Sequence, residues 1–114
     1  MDQVSLELKR GQSKTYPLEF TDENNVAIDI TGYSVYFIVK EKIDDVDASA
    51  KINKTITSHT DPTDGKTQLQ LTSTDTDLLG NYIFEIWYKN TTNEKVPMLE
   101  GVITFQKSAK QTFA

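Results

Sequence analysis

Tyr33-Ser34-Val35-Tyr36-Phe37-Ile38-Val39 is the most apolar run in the chain, and the fold turns on how it is read. Successive side chains of a strand point to opposite faces. Tyr33, Val35, Phe37 and Val39 therefore share one face, and Tyr36 and Ile38 share the other. Both faces carry large apolar groups, which predicts a central strand covered in part on both sides.

The same period of two spreads outward. Upstream, Val4, Leu6 and Leu8 alternate with Ser5, Glu7 and Lys9 before an Arg10-Gly11 turn; Tyr16, Leu18 and Phe20 repeat the pattern up to the polar turn Asp22-Glu23-Asn24-Asn25. Val26, Ile28 and Ile30 alternate next, and Thr31-Gly32 breaks the run. Downstream, Glu41 to Ala50 is polar and acidic, and Ile52 and Ile56 resume a weak strand pattern. Asp61-Pro62-Thr63-Asp64-Gly65 is a turn signature, since proline presets one φ and glycine permits a positive one. Thr67, Leu69 and Leu71 form a strand face, and Ser73 to Leu79 suits a single helical turn closed by Gly80. Tyr82, Phe84, Ile86 and Tyr88 then face one way and Ile83, Glu85 and Trp87 the other; Asn90 to Asn93 makes a hairpin loop. The last strand, Val96 to Phe105, is expected to bend near Pro97 and Gly101.

Short strands spaced by turn residues, with no long amphipathic helix, predict an all-β, antiparallel immunoglobulin-like β-sandwich of seven to eight strands. The sandwich should occupy residues 1–106, with 107–114 a C-terminal tail, flexible or docking. The edges where partners add are expected at Val4 to Lys9 and Val102 to Phe105.

Composition narrows the function classes. The chain has 114 residues, no cysteine, a net charge of -5 and a pI near 4.7. This length suits one core and not a large two-domain enzyme. Disulfides, thiol nucleophiles and thiolate metal sites are excluded. Scattered basic residues on an acidic chain argue against nucleic acid, and no apolar run approaches a membrane span, so the chain reads as soluble and unexported.

Catalytic, cofactor and metal sites are each expected to be absent. His59, the only histidine, reads as an ordinary surface residue, with no G-x-S-x-G, H-E-x-x-H or phosphate-binding loop elsewhere. Asp44, Asp45 and Asp47, near Glu41, do not match the spacing of a calcium loop and read as solvated acids. Trp87 stands out because it lies on the face opposite the main aromatic run, either packed or exposed as an interaction patch.

Two motifs carry a resemblance. Asp77-Leu78-Leu79-Gly80-Asn81-Tyr82-Ile83-Phe84 looks like the corner of an immunoglobulin-like domain, where a tyrosine hydroxyl bonds back to upstream backbone. Over residues 16 to 105, Tyr16-Pro17-Leu18-Glu19-Phe20, Asp29-Ile30-Thr31-Gly32 opening the Val35-Tyr36-Phe37 strand, Asp64-Gly65-Lys66, Gly80-Asn81-Tyr82 and the Val96-Pro97 to Gly101 ending resemble the N-terminal domain of the baseplate upper proteins of tailed phages. The resemblance implies a non-enzymatic module of a phage or prophage tail or baseplate, assembled in the host cytoplasm into the virion. Its implied partners are other tail and baseplate proteins, in a homo-oligomer or ring. The rival reading is a carbohydrate-binding or adhesin-type sandwich using Trp87. In either case Asp29 and Thr31 are expected to bond local backbone, with Gly32 at positive φ, turning the chain into the central strand.

Overall fold

In a computed structural model, residues 2–42 and 49–107 are described. The seven strands among them are β1 (Asp2–Lys9), β2 (Lys14–Glu19), β3 (Ser34–Lys40), β4 (Ile52–Ile56), β5 (Lys66–Leu71), β6 (Gly80–Lys89) and β7 (Lys95–Gln106). Five form one sheet in the order β1-β7-β6-β3-β4, and β2 pairs with β5 in a second. The sheets enclose a core in which Val35, Phe37 and Val39 of β3 meet Phe84 and Ile86 of β6, Ile103 and Phe105 of β7, and Leu69 and Leu71 of β5. The all-β sandwich expected from the alternation is the observed fold, and the Tyr33–Val39 run supplies its central strand.

Pairing departs from the expectation at three points. β1 runs parallel to β7, so the large sheet is mixed. β7 lies between β1 and β6 and is no edge; the edges of the large sheet are β1 and β4. Val26 to Ile30 is not a strand, because its N–H groups bond to loop and turn carbonyls: Ile28 N donates to Phe20 O (3.0 Å) and Ile30 N to Pro62 O (2.8 Å).

The predicted turns are in place for stated reasons. The Asp29 carboxylate accepts from the Thr31 amide (3.0 Å) and hydroxyl (2.6 Å), and Gly32 has φ 82. Those contacts, the hydroxyl first, hold the Asp29 carboxyl below its ordinary range. The Tyr82 hydroxyl donates to Leu79 O at 3.0 Å, the corner bond the sequence suggested. The single turn expected after β5 lies at residues 73–76, with Thr76 N donating to Thr72 O (3.1 Å), and residues 77–79 lead from it to Gly80.

The register of β7 on β6 is interrupted beside Pro97 and runs unbroken through Gly101. A bulge at Met98 separates the pairs Ile86/Leu99 and Trp87/Pro97. Carried past Trp87/Pro97 without that bulge, the hairpin register would pair Glu85 with Leu99 and aim Glu100 at Phe84 in the core. The extra residue reverses the parity, so Leu99 packs inward and Glu100 pairs with Glu85 on the outer face. Gly101 serves a different purpose: a Cβ there would collide with the Val4 carbonyl of β1. Gly101→Ala must push β1 off β7 and should cost about 3 kcal/mol in urea denaturation. Val102→Ala, on the outer face, should cost under about 1 kcal/mol.

Candidate interaction surface

The two sheets are unequal, and this decides what is exposed. Two strands cover one face of five, while the opposite face of the large sheet has no layer over it among the described residues. Three rows cross the middle of that face, between Ser34, Lys89 and Lys95 at one end and Asn81, Thr104 and Glu7 at the other. Thr55, Tyr36, Trp87 and Pro97 lie across the first; Asn53, Ile38, Glu85 and Glu100 across the second; Lys40, Ile83, Val102 and Ser5 across the third. Aromatic and aliphatic groups thus flank two glutamates.

Trp87 is half-buried on this face, beside Tyr36, and its Nε1–H donates to Glu85 Oε1 at 3.1 Å. Both readings of Trp87 hold in part: its ring packs on neighbours, and it belongs to an exposed patch. Val102 is 43% exposed, and Ile38 and Ile83 are half-buried. A groove of about 620 Å³ runs along Ile83, Glu85, Glu100 and Val102.

His59 is not the surface residue the sequence suggested. It is half-buried between the sheets, with Nε2 2.8 Å from Tyr33 O and Nδ1 2.9 Å from the Thr67 hydroxyl. A carbonyl can only accept, so Nε2 carries a proton, and in the neutral ring the Thr67 hydroxyl donates to Nδ1. The ring clasps the start of β3 to β5. Among the described residues no carboxylate bonds to the ring beside the Thr67 hydroxyl, and no group of three or more His, Asp or Glu side chains is placed to hold a metal. Asp44, Asp45 and Asp47 lie outside the described residues.

A second link between the sheets was not legible in the sequence. Lys54 shares the core side of β4 with Ile52 and Ile56, and its ammonium meets Asp75 Oδ2 at 2.6 Å. Burial pushes the Asp75 carboxyl up, but Lys54 and the Thr72 amide and hydroxyl outweigh it and hold the group below its ordinary value. An inward charge on an edge strand also discourages strand addition, so β4 is a guarded edge.

The fold defines a β-sandwich module in which, among the described residues, one face of the large sheet is uncovered. Its structure is similar to the solved N-terminal domain of phage TP901-1 ORF48, with 10% identity, a TM-score of 0.49, and coverage of 94% of this chain and 85% of that one. No family model and no curated protein matches the chain.

Two substitutions test the inter-sheet links. His59→Ala leaves the Tyr33 carbonyl and the buried Thr67 hydroxyl without partners and should cost about 2 kcal/mol by chemical denaturation. The depressed Asp75 carboxyl stabilises the fold above the unfolded-state value near 4, and that contribution is lost as pH falls through the lower folded-state value. Asp75→Asn should cost about 1 kcal/mol at pH 7 and flatten the acid limb of a melting-temperature profile.

Proposed function

We propose that this chain is a non-enzymatic structural module of a phage or prophage tail or baseplate, joining other virion proteins through contacts on its surface. One observation carries the reading. The residues by which the sequence resembles baseplate upper proteins are the ones that set its backbone: the Asp29–Gly32 turn opens β3, Tyr82 ties the corner before β6, and Gly101 admits β1 beside β7. A resemblance made of surface side chains would say less, because those residues are free to vary without changing the path of the chain.

The bare face of the large sheet supports a role through contacts, since half-buried Tyr36 and Trp87 are residue types that protein interfaces favour at their centres. Assembly in the host cytoplasm into a ring or homo-oligomer of the particle follows from the same reading. The test is mass spectrometry and immunogold labelling of purified particles from the encoding phage or prophage. The protein is expected as a stoichiometric component at the tail end. Absence from particles, or saturable sugar binding reported by Trp87 fluorescence without incorporation, overturns the reading.

A further inference from the structure

We propose that the outer face of the five-stranded sheet receives an arginine of a partner protein, seated between Glu85 and Glu100 and flanked by apolar contacts. This rests on the contact role above and names the chemistry of the surface that performs it. Glu85 and Glu100 are direct partners in the β6–β7 register. Opposed residues of an antiparallel pair have Cβ atoms about 5 Å apart, and like charges there repel. Among the described residues no lysine or arginine forms an ion pair with either carboxylate, and Glu85 receives only the Trp87 indole N–H.

The repulsion is a product of the Met98 bulge, which turns Glu100 outward to meet Glu85. Two carboxylates are too few for calcium, which takes six to eight oxygens, and much of their surround is apolar: Ile38 adjoins Glu85, Ile83 and Val102 lie on one side, and Trp87 and Pro97 on the other. A guanidinium fits this setting better than an ammonium. Its planar fork can bond both carboxylates, and it stacks on aromatic faces such as Trp87. The chain's net charge of -5 favours approach of a basic partner over self-association through this face.

The probe is a capped amphipathic helical peptide with one arginine between leucines on one face and glutamine on the other, titrated against the full chain. Trp87 fluorescence and amide chemical shifts are expected to report saturable binding on β3, β6 and β7. Replacing the peptide arginine by citrulline, or combining Glu85→Gln with Glu100→Gln, should weaken binding at least tenfold. Glu100→Lys should abolish binding while raising the melting temperature, because it replaces a like-charge pair by an opposite one. Glu23→Lys makes the same change in net charge within the Asp22–Asn25 turn and should leave binding within twofold. Equal weakening by Glu23→Lys, undiminished binding of the citrulline peptide, or shifts scattered over the whole surface overturns the inference. In particles, normal assembly of the Glu100→Lys chain would remove this surface from the assembly contacts while leaving the structural role standing.

Discussion

The turn at Pro62–Gly65 is the constraint on which the rest of the structure depends. A side chain on Gly65 would place its Cβ 2.5 Å from Phe20 O and 2.6 Å from Ile28 O, and Gly65 itself has φ 70. Three backbones therefore meet where only glycine fits. The contact is also bonded, with Phe20 N donating to Gly65 O (2.8 Å) and Ile30 N to Pro62 O (2.8 Å). This pins both ends of the segment that crosses from β2 to β3, and Ile30 is buried as a result. His59 adds a side-chain clasp from the residues before the turn to the start of β3 and to β5. The small sheet is thereby held over the central strands.

From that placement follows the division of the large sheet into a covered and a bare face. Phe37 and Phe84 pack 6.0 Å apart in the covered layer, and Phe20 and Tyr33 both meet the Tyr88 ring. The same strands display Tyr36, Ile38, Ile83 and Trp87 on the other side, where no second layer covers them among the described residues. Apolar groups left in this position are what the proposed contact role draws on. Two edges are less inviting: Pro17 lies in β2, and β4 turns Lys54 inward. A face contact rather than strand addition agrees with how those two edges are built.

Much of the candidate surface was legible in the sequence, though not its chemistry. Alternation alone placed Trp87, Glu85 and Ile83 opposite the aromatic core run. It could not place Glu100, because one extra residue at Met98 reverses the parity of everything beyond it, and nothing local to Glu100 announces the shift. His59 and Lys54 were hidden for a related reason. A polar residue near a turn or at an edge looks solvated until the element that packs over it is known, and here β5 with Thr67 and the following loop with Asp75 do so from a distance in sequence.

What the sequence determined by itself is the strands other than the alternating Val26–Ile30 run, the inward faces of those before β7, and the turns between them, because side-chain alternation and the φ demands of Asp29–Gly32 and Asp61–Gly65 are local properties of the chain. Tertiary structure alone decided that β1 runs parallel to β7, that β7 is interior, that Val26–Ile30 crosses as loop, and that Glu85 confronts Glu100. These outcomes depend on which backbones satisfy one another's hydrogen bonds across long stretches of chain, and on a register that a single bulge resets.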